Sequence, residues 1–404
     1  MFRVCCVSLV LLASAAYGSP RDAVERQVSS ARLEQIKVLR KLTALTQDPK
    51  EAAGLSLRLG ELYWQEANFQ ESEAKRKDSP APLSAHEEKA ELLARAAGLR
   101  KLAVEQFVNI LQRYPNFEHT DEVLFLLGTN LTEGGEDRKA LAVFKRLVEK
   151  HPKSKYLPQT WLAFGTYYFN NAKGERTELE KALAAYKKAA EEPKSQVYTY
   201  ALYKQGRCHF LMADYTAAKD MFKRVVLQGQ QAAPSALDGE DRKGVRALMV
   251  REARADYVRA YARDGDVMQA KEDFSKVAAQ PEDRFTMMKQ LANLYSEDGK
   301  DREAALAFTF LLQEKPLSPE SPGFQAKLVE CMLRMGDKEG SGKEATELVE
   351  RTLSNLALLW HEEARKTQSA EMFKSANAIS DNYLVLFPKS LKAPEIRKLR
   401  EERP

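Results

Sequence analysis

The chain has 404 residues, of which 44% are hydrophobic and 30% are charged, a balance typical of a folded protein rather than a disordered one. Its 63 basic and 58 acidic residues are finely interspersed, so no basic block accompanies the net charge of +5. Because a nucleic-acid-binding surface usually shows such a block, we predict no nucleic acid among the partners.

Residues 1–18 have the layout of a secretory signal peptide. Arg3 precedes a short apolar run, and small residues follow that run before the charged sequence begins at Arg21. Ala16–Gly18 is the preferred processing site, and Ala13–Ala15 is the alternative. An uncleaved membrane anchor is the weaker interpretation because the run is short for a spanning helix. We therefore predict an exported, periplasmic protein that associates with the outer membrane only through partners.

Two cysteines, Cys208 and Cys331, would remain after cleavage. An exported protein that depends on disulfides usually carries more cysteines at closer spacing. The sequence therefore predicts two buried thiols that pack as small apolar groups.

Residues 19–49 predict a helix ahead of the main body of the chain. Apolar residues recur at helical spacing along it, at Val28, Leu33, Ile36, Leu39, Leu42 and Leu45. The favoured interpretation is a cap on the structure that follows. The alternative is a self-associating coiled coil, although the segment is short for several heptads.

Residues 50–390 contain a recurring pattern, which is clearest from Leu291 to Pro316. A first helix carries a leucine, a small residue and a tyrosine on one face, and a turn follows it. A second helix then carries an alanine, a phenylalanine four residues later and a closing proline. These positions are Leu291, Ala292, Tyr295, Ala304, Phe308 and Pro316.

The same frame returns along the chain, and the step from Ala270 to Ala304 is 34 residues. A more degenerate copy runs from Phe324 through Cys331 to Ala345 and Val349, and a last one has Trp360 and Ala364 ahead of Ala376 and Pro388. In WLAFGTYYF, residues 161–169, the frame places Trp161, Phe164 and Tyr168 on the core side. The remaining copies are marked by Gly60, Tyr63, Ala103 and Phe107; by Gly128, Ala140 and Phe144; by Gly165, Ala182 and Tyr186; by Gly206, Ala218 and Phe222; and by Tyr257, Tyr261, Ala270 and Phe274.

This spacing resembles the tetratricopeptide repeat. The resemblance implies an all-α fold, a right-handed superhelical solenoid of stacked antiparallel helix pairs, and a scaffold role without catalysis. The endings Arg113–Asn116, Lys150–Ser154 and Phe387–Ser390 resemble those of periplasmic members, such as the Tol–Pal-associated cell division coordinator and the outer-membrane assembly lipoprotein. Within each pair, we expect the small residue of the first helix to receive the alanine of the second, with the aromatic filling the space to the next repeat.

Three segments depart from the period. An insertion at about 64–102 predicts two lengthened helices that meet at Pro80–Pro82 and project as a charged hairpin. Residues 228–244 predict an exposed loop that leads into a longer helix. Residues 391–404 predict a short charged helix or tail, either a cap or the first helix of a further repeat.

The sequence carries no recognisable catalytic, cofactor or metal motif. Gly336–Thr346 resembles a phosphate-binding loop, but Lys343 is followed by Glu344 rather than Ser or Thr, and no strand precedes it. His361 lacks the second histidine of a zinc helix, and Cys208 with His209 point in different directions on a helix. We therefore predict no catalytic residue, no metal and no cofactor.

The family frame instead predicts a peptide-binding groove lined by first helices. Aromatic side chains there would anchor apolar groups, and arginine and lysine would bind acidic groups. Lys289 and Asn293 resemble the opening pair of the carboxylate clamp of co-chaperone members, although the following repeat lacks the partner residues. An ordinary amphipathic surface without a fixed ligand is the alternative. The predicted groove residues are Phe169, Asn170, Tyr200, Tyr203, Arg207, Phe210, Arg259, Lys289 and Asn293.

These features predict an adaptor that binds proteins or peptide segments within a bacterial cell-envelope complex. One alternative is a self-assembling structural component of an envelope or motility machine, joined through the N-terminal helix and the charged hairpin. The other is an accessory subunit of an enzyme complex.

Overall fold

A computed structural model describes residues 20–76, 83–231, 240–335 and 343–401. The predicted signal peptide, the turn at Pro80–Pro82 and most of the Gly336–Thr346 segment lie outside these ranges. Within them the chain forms helices, turns and bends and no β-strand, which confirms the all-α prediction. No described helix is both long enough and apolar enough to cross a membrane.

The chain divides into two compact units, Met1–Tyr167 and Tyr168–Pro404. In the first unit, each helix from α1 to α5 packs against the next one along the chain. Its helices are α1 (Pro20–Leu45), α2 (Pro49–Arg76), α3 (Leu83–Arg113), α4 (Thr120–Glu133) and α5 (Asp137–Lys150), and α6 (Leu157–Asn171) crosses the boundary between the units.

The second unit repeats the same helix-pair arrangement. First helices contact first helices, as α8 does α10, and second helices contact second helices, as α13 does α15. The helices are α7 (Arg176–Ala189), α8 (Tyr198–Leu211), α9 (Tyr215–Gln231), α10 (Glu240–Asp264), α11 (Ala270–Ser275), α12 (Pro281–Glu297), α13 (Asp301–Glu314), α14 (Ser321–Met335), α15 (Lys343–Thr367), α16 (Ala370–Leu386) and α17 (Ala393–Arg400).

A ring packed over a glycine brings the two helices of a pair together. A Cβ atom added to Gly128 would lie 2.3 Å from Cε1 of Phe144, and one added to Gly206 would lie 2.6 Å from Cε1 of Phe222. The expectation that the second-helix alanine receives this contact is wrong. At Gly128 and Gly206 the aromatic of the same pair occupies the place, because the missing side chain leaves room for its ring.

The second-helix aromatics are the centres of the two cores. Their rings are buried at 0–1% exposure, together with the alanine one turn earlier, and all of them except Tyr186 belong to the two hydrophobic clusters. In α6, by contrast, Trp161, Phe164 and Tyr168 are half-buried, and Gly165 is buried. The buried second-helix rings are Phe107, Phe144, Tyr186, Phe222, Phe274 and Phe308.

The last repeat frame differs from the prediction. Val349, Trp360 and Ala364 lie on one continuous helix, α15, which contacts α13 and α17 and so belongs with the second helices. Trp360 and Ala364 therefore do not form a separate first helix. Ala376 lies on α16, which contacts α14 in the row of first helices. The 391–404 segment contains α17, which packs on α15 and α16 through its buried apolar residues.

The long helices α2 and α3 correspond to the predicted insertion, and α1 packs along α2. Glu66 of α2 is fully buried and accepts hydrogen bonds from Ser29 at 2.8 Å and from Arg32 at 2.7 Å. Arg76 near the end of α2 donates to Glu25 at 2.5 Å. The hairpin therefore carries a third helix rather than projecting bare into solvent.

The two thiols, Cys208 and Cys331, are free and buried, as predicted. Burial raises the pKa of Cys208 to about 12, so the thiol stays protonated and behaves as a small apolar group.

Candidate peptide-binding surface

The predicted groove residues of α8 and α10 meet around one buried carboxylate, Asp256. Tyr203 donates a hydrogen bond from its hydroxyl to Asp256 Oδ2 at 2.9 Å. Arg259, one turn further along α10, donates from Nη1 to Asp256 Oδ1. Nη1 of Arg207 lies 3.6 Å from Asp256 Oδ2 and 3.4 Å from the Tyr203 hydroxyl. Two guanidinium groups thus share a single carboxylate.

This arrangement fixes the state of Tyr203. Burial raises the pKa of its phenol, the charge of Asp256 raises it further, and the nearby Arg207 lowers it. The net pKa lies above the ordinary value of 10.0, so the hydroxyl remains a neutral donor to the carboxylate at physiological pH. The ring also packs on Phe222, with centroids 5.8 Å apart, which ties the surface to the core.

An aromatic and cationic platform continues from this cluster toward α6. The rings of Tyr200 and Tyr203 are stacked, with centroids 6.4 Å apart and planes at 29°. Nζ of Lys204 lies 5.5 Å from the Tyr200 centroid and 4.9 Å from the Phe169 centroid. Tyr200 remains 40% exposed and Asn170, next to Phe169, is exposed. We call Phe169, Tyr200, Tyr203, Lys204, Arg207, Asp256 and Arg259 the α8–α10 surface.

Charge on the α8–α10 surface is unbalanced in favour of cations. Lys204, Arg207 and Arg259 contribute three positive charges, and Asp256 contributes one negative charge. Because Asp256 is 5% exposed whereas Arg259 is exposed, solvent meets the cations rather than the carboxylate. Such a surface attracts an acidic ligand, and the exposed rings offer apolar area beside it.

The remaining predicted residues lie elsewhere. Phe210, at the end of α8, is half-buried and packs edge-on against Tyr215, with centroids 5.5 Å apart. Lys289 on α12 forms an ion pair with Glu320 at 2.7 Å, and Asn293 accepts a hydrogen bond from Lys327 at 2.7 Å. The two α12 residues therefore join their helix to α14 and to the turn immediately before it, rather than pointing a paired donor set at a ligand.

Two members of the surface were missed in the sequence. Lys204 lies one turn after Tyr200 and Asp256 lies one turn before Arg259, so helical periodicity places each beside a predicted residue. Charge pairing between neighbouring first helices is the signal that would have identified them. An acidic residue opposite two arginines could have been sought on α10 once α8 had been placed.

The part of the chain that the structure describes contains no group of three or more histidine, cysteine or acidic residues placed to hold a metal ion. The buried residue His361 has Nε2 3.0 Å from the Ser380 hydroxyl on α16, an interaction that joins two helices. Nothing in this arrangement assembles a nucleophile with an oriented base and an exposed substrate position.

Comparison with known proteins supports the repeat assignment. Residues 122–154 and 200–228 match the family model described as tetratricopeptide repeat. These ranges cover α4 with α5 and the α8–α9 pair. No curated protein matches the sequence.

Solved structures similar to the chain include tandem-repeat proteins of low identity. The C-terminal part of a TPR repeat-containing protein from Cytophaga hutchinsonii is 12% identical, with coverage of 74% of this chain and 98% of that one and a TM-score of 0.36. The TPR domain of P58(IPK) is 14% identical, with coverage of 92% and 100% and a TM-score of 0.22. Naa15/Naa10 bound to HypK is 14% identical, with coverage of 75% and 51% and a TM-score of 0.23. The tetratricopeptide-repeat matches thus cover two helix pairs of the chain.

Proposed function

We propose that the chain is a non-enzymatic adaptor whose α8–α10 surface binds an extended protein segment with an acidic residue next to an aromatic or large apolar residue. The observation that supports this proposal is the convergence of Lys204, Arg207 and Arg259 beside exposed Tyr200, over a carboxylate that is itself buried. Acidic groups of the segment would pair with the cations, and its apolar side chain would cover the Tyr200 ring.

The buried carboxylate has a positioning role in this proposal. Asp256 holds the Tyr203 hydroxyl and both guanidinium groups, so the cations are ordered before a ligand arrives. Because these side chains are already ordered, they lose little conformational entropy when a ligand binds. A flexible lysine on a bare helix would lose that entropy in full. Asp256 also leaves part of the guanidinium hydrogen-bonding capacity available, since each arginine has five N–H donors.

The cell envelope is the proposed setting. Support comes from the signal-like composition of residues 1–18 and from the endings at Arg113–Asn116, Lys150–Ser154 and Phe387–Ser390, which resemble those of the Tol–Pal-associated coordinator and the assembly lipoprotein. The test is a fusion of residues 1–30 to a reporter enzyme that is active only after export. Reporter activity equal to that of a leaderless fusion would contradict an envelope role.

The ligand class is tested by selection from a random peptide library displayed on phage, with the purified protein immobilised. Enriched peptides should carry an aspartate or glutamate within a few residues of an aromatic. The variant Arg259→Glu should lose this enrichment, because it reverses the most exposed charge of the surface. Lys289→Glu is the matched control, since it makes the same charge change on α12, and it should keep the enrichment.

Three results would contradict the proposal. These are no enrichment with the wild-type protein, enrichment of basic peptides, or equal loss in the Arg259→Glu and Lys289→Glu variants. Circular dichroism melting of both variants separates a binding defect from a folding defect.

A further inference from the structure

Helix α1 presents an apolar face away from the body of the protein. Its contacts with α2 run through Ser29, Arg32 and Ile36, of which the first two bind the buried Glu66. Another side of the helix carries large apolar side chains that are 45–78% exposed: Val24, Val28, Val38, Leu42 and Leu45. The predicted stripe of α1 is thus divided, with Ile36 and Leu39 toward α2 and Val28, Leu42 and Leu45 toward solvent.

The exposed residues follow the spacing of a coiled-coil seam. Steps of four and three residues alternate along the whole face, which spans roughly 32 Å at about 1.5 Å per residue. One position, Gln35, is polar, and it lies in the middle of the face. An apolar face of this length and regularity on a helix is typical of a surface that another helix covers. We call this set the α1 seam: Val24, Val28, Ala31, Gln35, Val38, Leu42 and Leu45.

We propose that the α1 seam is a dimerisation surface and that its occupant is the α1 helix of a second copy, packed antiparallel. The proposal is independent of the α8–α10 surface. In a two-fold dimer both copies contribute the same surface, so that surface must be complementary to itself. The α1 seam meets this requirement because it presents apolar residues along its length in each copy. In a parallel pair, Val24 and Val38 would stand at positions that favour leucine in two-stranded coiled coils, and Leu42 at one that favours a β-branched residue.

Antiparallel pairing corrects this mismatch and matches charges. With Gln35 opposite Val38 of the second copy, Ala31 faces Leu42 and Val28 faces Leu45, so small residues meet large ones. The same register places Glu34 near Lys41 of the second copy, twice by symmetry. In the parallel register Glu34 would face Leu39, and no opposite charges would meet across the seam.

The central glutamine has a predictable effect. Two copies of Gln35 enter an otherwise apolar interface, which lowers its stability and makes a shift of register unfavourable. The dimer should therefore be concentration-dependent rather than permanent. Replacing Gln35 with leucine should tighten it by about tenfold.

The test is sedimentation equilibrium of the purified full chain across a concentration series. The wild type should show a monomer–dimer equilibrium, and V38E/L42E should raise the dimer Kd by at least about tenfold because it places charges in the seam. Leu33→Glu is the matched control. Leu33 is 40% exposed on the same helix but lies outside the seam, so L33E should leave the Kd unchanged. Q35L should lower the Kd.

Helix orientation is tested by disulfide trapping in a background with Cys5 and Cys6 replaced by serine. A mixture of V28C and L45C chains should form the mixed disulfide, and V28C alone should not form one. A monomer at every concentration, a dimer that survives V38E/L42E, or equal loss in L33E would overturn the interface. Crosslinking of V28C to itself would overturn the antiparallel arrangement.

Discussion

The α8–α10 surface and the α12–α14 contact differ, although both are built from first-helix residues that the same repeat frame selected. On α8 and α10, two arginines and a tyrosine share the buried carboxylate of Asp256. At the α12–α14 contact, each polar residue meets one partner: Lys289 pairs with Glu320, which immediately precedes α14, and Asn293 pairs with Lys327 on α14.

The same face of the first helices therefore has two uses, which are the stacking of repeats and the binding of a ligand. One-to-one pairs align neighbouring repeats, and the Lys289–Glu320 pair leaves no surplus charge. A many-to-one cluster orders the side chains and leaves excess positive charge for a ligand. The repeat frame identifies the face, and the ratio of cations to carboxylates distinguishes a binding surface from a stacking contact.

Removal of the shared carboxylate should have the largest effect. We expect Asp256→Ala to lower the free energy of unfolding by about 3 kcal/mol, because it leaves two guanidinium groups and the hydroxyl of half-buried Tyr203 without their buried acceptor. The measurement is urea denaturation, with hydrogen exchange to locate the loss in α8 and α10. A loss below about 1 kcal/mol, the range for exposed ion pairs, would show that the cluster is not pre-ordered.

The second-largest effect should come from replacing a glycine that packs beneath the α8–α10 surface. A methyl group at Gly206 would lie 2.6 Å from the Phe222 ring, which packs on Tyr203, so Gly206→Ala should cost about 2 kcal/mol and weaken peptide binding. Gly323→Ala on α14 is the matched control, because a methyl group there meets open space. Chemical denaturation and peptide affinity are measured on both variants. Equal effects would refute the close-contact explanation.

The one-to-one pairs should contribute little. Lys289→Ala and Asn293→Ala should each change the free energy of unfolding by less than about 1 kcal/mol, because their contacts are solvent-accessible. Peptide affinity should remain unchanged in both, in contrast to Arg259→Ala. A loss of binding in either α12 variant would reinstate a carboxylate clamp on that helix.

The effect that is smallest at neutral pH is a pH dependence in α12. Burial raises the pKa of Tyr295 to about 12, and its hydroxyl has no hydrogen-bond partner among the described residues. Below about pH 10 the phenol is neutral in both the folded and the unfolded protein, so its contribution to the free energy of unfolding is complete there. That contribution is lost as the pH rises from about 10 to 12, because the phenol ionises first in the unfolded protein. Tyr295→Phe should match the wild type at neutral pH and lose less stability above pH 10. Identical profiles at high pH in urea denaturation would contradict this assignment.

Helix pairing could be predicted from the sequence because it depends on local spacing. Residues such as Gly128, Phe144 and Phe222 mark glycine and aromatic positions that recur along the chain. Their spacing follows from the helical turn and from the close contact between the two helices of a pair. The contact itself was assigned to the wrong atoms, since spacing cannot distinguish an alanine from a ring that folds back over the glycine.

Two other features depend on tertiary structure. Asp256 could not be recognised as buried until α8 was placed beside α10, because an acidic residue on a helix is usually exposed. The direction of α1 depends on Glu66, whose burial draws Ser29 and Arg32 inward and leaves the α1 seam in solvent. Periodicity revealed an apolar stripe but not which of two stripes contacts the body.

Site-specific photocrosslinking in cells tests whether the α8–α10 surface binds a protein partner. A photoreactive residue is placed at Tyr200 on the α8–α10 surface, at Thr286 on the exposed side of α12, and at Asp220 on the exposed side of α9. We expect a discrete protein adduct from Tyr200 that disappears when Arg259→Glu is introduced, and background levels from the other two positions. An adduct of equal yield at all three positions, or one at Tyr200 that survives Arg259→Glu, would contradict the account.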